Sequence, residues 1–252
     1  MIKIKWLGIN GFEFSFNGKT ILLDPYVTRN LKAVCKSSAV SKYISKADYI
    51  FIGHSHWDHL ADTAEIIRQT GAKVIGSQTT ANICRAQKVQ EDKITEVSAG
   101  DVIKYSDFNV DFLESRHKEP CSYQGCYETV PDKISTIEDF VEGGTMALRF
   151  NFGNVKILNI GSANFVEKAL KCIECDLLLV SIAGRSDSFT HDLLKCISPA
   201  IIMPTHFDYF ETPMESPGVR VDLDIFFKEV HEVAPEIKVL RPEILKELDF
   251  KT

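Results

Sequence analysis

The sequence predicts an α+β chain folded as a four-layer αββα sandwich, two sheets face to face with helices outside. Three observations carry that expectation. Strand-like stretches come first and then alternate with helix-forming stretches, and this order occurs twice along the chain. Three short runs, Tyr49–Ile52, Cys175–Val180 and Ala200–Met203, are apolar almost throughout, as strands covered on both faces are. Finally, 252 residues lies near the upper end of what one hydrophobic core supports, enough for two such halves sharing an interior. A single domain over residues 1–252 is therefore expected.

The elements follow in order. Ile2, Ile4 and Trp6 alternate with Lys3 and Lys5 at the period of a half-buried strand. Phe12, Phe14 and Phe16 alternate again, Asn17-Gly18 suits a tight hairpin turn, and Thr20–Leu23 returns as the partner strand. Residues 30–48 are read as partly helical. After the strand Tyr49–Ile52, residues His54–Leu60 form a loop, Ala61–Gln69 a helix, Lys73–Ile75 a strand and Ala81–Ala86 a helix. The second half repeats the plan. Val102–Tyr105 and Phe108–Leu113 are strand-like, and Thr145–Phe150 and Val155–Asn159 make a hairpin around Gly153-Asn154. The two buried-type strands that follow alternate with helices expected at Asn164–Cys172, His191–Cys196 and Val221–Val233. Residues 118–144, with a helix-like piece near Ile137–Val141, are too long for an ordinary connection and read as an inserted, lid-like segment.

Composition narrows the class of function. A hydrophobic fraction of 44% and a charged fraction of 25% are ordinary for a globular chain and exclude disordered and collagen-like classes. Lysine and arginine total 29 against 35 aspartates and glutamates, a net charge of -6, which argues against a nucleic-acid partner. Charges interrupt the N-terminus before a signal-peptide core forms, and no apolar run approaches the ~20 residues of a membrane helix. Seven cysteines, an odd number, then read as free thiols in a reducing cytoplasm. Cys121, Cys126, Cys172 and Cys175 are a second possibility, as four thiolates for a structural zinc, although their spacing matches no familiar zinc ribbon.

Three of only seven histidines fall in His54-Ser55-His56-Trp57-Asp58-His59, directly after a buried-type strand. His54 and His56, two apart, can point the same way, and Asp58 and His59 can serve a neighbouring position. Imidazole and carboxylate are the ligand set of zinc or another borderline divalent ion. His117 and His206 also end apolar strands and become candidate distant ligands, whereas His191 and His231 fall in helix candidates and read as ordinary residues. Asp24 is a candidate to accept the second N–H of a metal-bound histidine, or else a turn aspartate before Pro25.

The His-x-His-x-Asp-His signature with His117 and His206 resembles the metallo-β-lactamase superfamily, whose αββα sandwich matches the repeated plan. Trp6-Leu-Gly8, Ile21–Pro25 and Met203-Pro-Thr-His206-Phe look like its lactonase-like branch, which includes ascorbate-6-phosphate lactonase-like and N-acyl-phosphatidylethanolamine phospholipase D-like proteins. The resemblance implies His54, His56 and His117 on one metal and Asp58, His59 and His206 on a second. One departure stands out. The family's metal-bridging aspartate is replaced in Gly161-Ser162-Ala163-Asn164 by Ser162. A neutral hydroxyl is a poorer ligand, so weaker or absent occupancy of the second position is expected, with Asn164 as a substitute oxygen ligand.

The resemblance implies a hydrolase working through a metal-bound hydroxide, with Asp58 orienting the nucleophile and moving the proton. Zinc is the expected ion, one or two per chain, with manganese or iron(II) as alternatives. His56 stands where di-iron relatives carry glutamate, which favours the hydrolytic type. A small-molecule lactone, ester, amide or phosphodiester fits the chemistry. Arg116, Lys118 and Arg185, near strand ends, are candidates to hold an anionic group, and Tyr123 and Tyr127 are candidate contacts from the inserted segment. The competing reading is a metal- or ligand-binding protein that lost turnover through Ser162. Substrate identity and oligomeric state are not legible.

Overall fold

Alternating apolar residues bring the chain in as a strand one place from the edge of a sheet. In the computed structural model, which describes residues 1–32 and 34–251, the first half runs β1 (Ile2–Trp6), β2 (Phe12–Phe16), β3 (Lys19–Leu23), α1 (Ser37–Tyr43), β4 (Tyr49–Phe51), α2 (Trp57–Leu60), α3 (Thr63–Thr70), β5 (Lys73–Gly76), α4 (Gln78–Ala86) and β6 (Ile94–Glu96). The second half runs β7 (Val102–Lys104), β8 (Phe108–Glu114), β9 (Met146–Phe152), β10 (Val155–Asn159), α5 (Glu167–Leu170), β11 (Leu177–Ser181), α6 (Phe189–Cys196), β12 (Ile201–Thr205), α7 (Leu223–Val233), β13 (Lys238–Val239) and β14 (Glu247–Phe250).

The described strands form two seven-stranded sheets, ordered β14-β1-β2-β3-β4-β5-β6 and β13-β12-β11-β10-β9-β8-β7. Each begins as an antiparallel meander and continues as parallel strands fed by helical crossovers, from β3 to β6 and from β10 to β13. Asn17 and Gly18 both adopt positive φ, 46° and 78°, which gives the first hairpin the twist its strands require. The last strand crosses back to the first sheet, pairing Phe250 with Ile2. Together the sheets and their helices make the αββα sandwich.

The interior lies between the sheets. Phe14 of β2 and Phe51 of β4 each stand 5.2 Å from the Phe150 ring of β9, and Phe112 of β8 completes the group; all four are buried. Alternation sends Leu22 and Ile50 to the other face of the first sheet, where Ile66, Ile67 and Ile83 cover them from α3 and α4. Leu193, Phe226 and Val230 seal the second sheet from α6 and α7.

Several boundaries depart from expectation. Trp57–Leu60, read as loop, is a helical turn, so the Asp58 and His59 side chains come from a rigid element. The helix expected at Asn164–Cys172 contracts to Glu167–Leu170 because Asn164 spends its amide on the His117 carbonyl and its carbonyl on the Phe165 amide. The piece near Ile137–Val141 is one 3-10 turn, Ile137–Asp139, closed by a Thr136/Asp139 capping box. β6, β13 and β14 escape the sequence reading because they are two to four residues long and sit outermost in their sheets, where apolar alternation fades. No helix among the described residues is long and apolar enough to cross a membrane.

Removing a ring from between the sheets should cost about 3–5 kcal/mol, the usual range for emptying an aromatic site in a core. Phe150→Ala is expected to lower the free energy of chemical unfolding by that amount, while Lys104→Ala at the exposed edge should stay within about 0.5 kcal/mol. Near-equal losses for the two would contradict the packing described here.

Candidate metal centre

Strand ends build the site. β3 delivers Asp24, β4 leads into the His54–His59 turn, β8 leads to His117, β10 to Ser162 and β12 to His206. Asp24 Oδ1 accepts the Gly53 amide at 2.8 Å, which fixes the loop just before His54. Gly161 has φ 82°, and a Cβ there would stand 2.5 Å from the Met146 carbonyl, so only glycine lets β10 pass this close to β9. His206 adopts φ 59°, a costly conformation for a side-chain-bearing residue, and its amide is held by the Ile9 carbonyl at 2.7 Å.

Two groups of donors result. The ligand atoms of His54, His56 and His117 lie within 4.8 Å of one another, and so do those of Asp58, His59 and His206. His54 Nε2 is 3.1 Å from His56 Nδ1. His117 donates Nδ1–H to the Lys118 carbonyl at 2.9 Å, which leaves Nε2 with its lone pair toward the other two rings. In the second trio Asp58 Oδ2 is 3.2 Å from His206 Nε2 and 3.5 Å from His59 Nε2, and Asp24 Oδ2 is 2.9 Å from His59 Nδ1. The trios adjoin: the His54 and His59 ring centroids are 3.9 Å apart.

Their electrostatics differ. Burial, and then the neighbouring imidazoles, hold His54 well below the ordinary histidine range. Burial lowers His56 too and brings His117 down to about 4. This trio is neutral at physiological pH. For His59 burial works downward, but the Asp24 and Asp58 carboxylates outweigh it and the net direction is up. Burial opposes ionisation of Asp58, yet His59 and His206 more than offset it and hold the carboxyl well below its usual range. Neutral lone pairs on one side and an ionised carboxylate beside a histidine on the other are a donor set suited to a borderline divalent cation. His54 Nδ1 and His56 Nε2 are buried without a hydrogen-bond partner, so only the opposite ring nitrogens are engaged within the cluster.

Both trios open into a pocket of about 290 Å³ walled by Trp57, Tyr123, Ile137, Ser181 and Phe210. Of the remaining residues singled out from sequence, Asp24 meets His59, and Tyr123 and Lys118 line the pocket. Ser162 lines it too, and its buried Oγ accepts the Lys118 amide at 3.1 Å. Asn164 supports the His117 loop from behind, its side-chain amide donating to the His117 carbonyl, and is absent from the wall.

Three expectations are corrected. Arg185 turns away to α7, where Glu229 binds it at 2.7 and 3.1 Å over the Phe226 ring. Arg116 is exposed on open grooves outside the pocket. Tyr127 is bonded through its backbone to Thr79 and Asn82 on the helical side. Nor do the four cysteines gather: among the described residues only the two trios bring three or more metal-capable donors together, and all seven thiols are free.

Sequence reasoning missed Arg220, which lines the pocket, and the buried Arg29–Asp208 pair, 2.8 Å apart. Asp208 also accepts the Ile9 amide at 3.0 Å, and Arg29 reaches the Tyr209 and Thr212 carbonyls, so this pair clamps the turn that follows His206. No periodicity marks these residues; they meet only because the chain folds back across 180 residues.

The family model described as the beta-lactamase superfamily domain matches residues 3–206. A UPF0173 metal-dependent hydrolase of Methanopyrus kandleri is 24% identical over 242 residues, covering 95% of this chain and 96% of that protein. A UPF0173 metal-dependent hydrolase of Staphylothermus marinus is 28% identical over 253 residues, covering 96% and 97%. Among solved structures, a metallo hydrolase of the hyperthermophilic archaeon Ignicoccus hospitalis superposes with a TM-score of 0.67 at 19% identity, covering 99% of each chain, a likeness of fold.

Deleting one partner of a buried ion pair strands the other, typically at a cost of about 3–5 kcal/mol. Asp208→Ala should therefore destabilise the chain by that order in urea unfolding, whereas Glu243→Ala, in an exposed pair with Lys246, should change it by less than about 1 kcal/mol. Equal effects would mean that the backbone carbonyls alone hold Arg29.

Proposed function

The chain belongs to the metallo-β-lactamase superfamily, and from that premise we propose that it is a metal-dependent hydrolase acting on a small-molecule lactone, ester, amide or phosphodiester. The observation that carries this reading is the adjacency of the two donor trios at the floor of one open pocket. The names of the UPF0173 relatives support it, and the opening and closing motifs around Trp6-Leu-Gly8 and His206 favour the lactonase-like branch, whose members include both lactonase-like and phospholipase D-like proteins. Seven free thiols fit a cytoplasmic protein.

His54, His56 and His117 would hold one ion and Asp58, His59 and His206 a second, zinc being the best match to imidazole and carboxylate. A divalent ion bound there supplies Lewis acidity and lets water act as a nucleophile at neutral pH. The chain supplies the rest. Asp24 takes the Nδ1 side of His59, so its Nε2 faces the pocket. The Lys118 carbonyl fixes the His117 tautomer in the same way. Asp58, ionised and within reach of His206, is placed to orient water and accept its proton. Ser162 gives the pocket a neutral hydroxyl where the family resemblance implies a metal-bridging carboxylate, one negative charge fewer. That favours a single ion per chain and also supports the alternative, a binding protein without turnover.

Purified protein saturated with zinc and desalted should carry about one equivalent by elemental analysis, rising toward two in Ser162→Asp. Two equivalents in the parent chain would contradict the role given to Ser162. On a panel of lactones, esters, amides and phosphodiesters, turnover should vanish with chelation and fall at least about a hundredfold in Asp58→Ala. Ordered zinc with no turnover on any class would favour the binding protein.

The raised His59 predicts a pH signature. Asp24 and Asp58 shift His59 toward its protonated form, and any proton on Nε2 must leave before it binds an ion, so uptake by the second trio should tighten as pH rises. Burial lowers all three imidazoles of the first trio, so its affinity should vary less with pH than that of the second. Zinc calorimetry of Ser162→Asp in buffers of different ionisation enthalpy should show more proton release at one site than at the other; equal release at both, or none, would contradict this assignment.

A further inference from the structure

We infer that the pocket selects small molecules carrying a compact oxyanion group, held between Lys118 and Arg220, an inference that rests on the hydrolase reading for the bond to be cut but not for the binding itself. The pocket wall contains two cations, Lys118 and Arg220, and one carboxylate, Asp58. That carboxylate is engaged with His59 and His206. Elsewhere among the described residues Arg29, Arg68, Arg85, Arg149 and Arg185 each pair with an acidic side chain, while Arg116 and Arg241, outside the pocket, do not. Among the described residues neither Lys118 nor Arg220 lies within ion-pair distance of a carboxylate, although the chain as a whole is acidic.

Both cations are positioned rather than merely exposed. Arg220 lies over the Phe210 ring at 5.4 Å; that ring meets His206 edge-on at 5.2 Å and Trp57 at 5.3 Å. Its own amide bonds the Phe207 carbonyl. Lys118 follows His117, and its amide is held by Ser162 and its ammonium by the Pro120 carbonyl at 3.1 Å. Its stem lies against Gly184, where a Cβ would stand 2.7 Å from Lys118 Cδ. Lys118 follows a ligand of the first trio and Arg220 stacks on a ring that touches His206 of the second, so one cation borders each donor trio. Trp57, Tyr123, Ile137 and Phe210 offer an apolar wall for the body of the molecule. An arginine fork suits phosphate or carboxylate, and a lysine adds a point charge.

The test is calorimetric binding of phenyl phosphate, benzoate and neutral phenol to zinc-loaded protein, compared with Lys118→Met, Arg220→Gln and the double variant. Both oxyanions should bind the parent. Each single change should weaken them about tenfold and the double change more, with phenol, zinc content and thermal midpoint unaltered. Arg220→Lys should recover part of the loss. Phenyl phosphate tighter than benzoate would mark a phosphate-bearing substrate, and the reverse a carboxylate. The inference is overturned if the double variant binds both anions within twofold of the parent, or if phenol weakens equally. Anion binding that needs both cations in a chain that turns over nothing would leave the clamp standing and remove the hydrolase reading.

Discussion

Everything at the metal-binding end hangs on the side chain of Asn10. It is wholly buried where the two sheets meet, and all of its hydrogen-bonding capacity is spent on strand ends. It donates to Asp24 Oδ2 at 2.8 Å and to Asn159 Oδ1 at 3.2 Å, and accepts from Asn159 at 3.1 Å and from Thr205 at 3.0 Å. β3, β10 and β12 therefore converge on one amide. Asp24 passes the constraint to His59 and to the loop before His54, Asn159 passes it to the Gly161 amide at 2.8 Å, and Thr205 passes it to His206. An unpaired polar group is expensive in such an interior, so sliding one sheet over the other would break several bonds together.

That network explains why the two trios differ electrostatically while sitting side by side. Asp24 faces the second trio and not the first, so His59 is pulled toward its charged form while burial keeps His54, His56 and His117 neutral. The Arg29–Asp208 pair does related work at the periphery: it holds the turn in which His206 takes up its strained backbone. Strain of this kind persists only where surrounding contacts over-determine it, and here three segments far apart in sequence do so.

Segment 118–144 belongs to this frame as well. Its near end lines the pocket through Lys118, Ser122 and Tyr123. Its far end buries Phe140 in the helix-covered cluster, and the Glu142 carbonyl accepts the Ser55 amide at 2.9 Å. The segment therefore shapes the pocket while anchored in the same loop that carries the histidines. Its deletion would remove core packing along with any recognition surface.

The sequence by itself determined the layer plan and the donor set. Alternation at Phe12–Phe16, the unbroken apolar run before Gly53 and the clustering of scarce histidines are local signals, each readable within about ten residues because strand period and ligand chemistry are local properties. Short strands such as β13 and β6 were invisible, since a two- or three-residue edge has no period to read. Which polar residues meet was decided only by tertiary structure. Arg116, Lys118 and Arg185 looked equivalent at strand ends, yet the first faces solvent, the second faces the pocket and the third is drawn to Glu229. Nothing in the local pattern singles out Asn10, Asn159 or Arg220. Their partners lie up to 195 residues away. Hydrogen-bond partners so distant leave no trace in local pattern; the packing of two sheets chooses them.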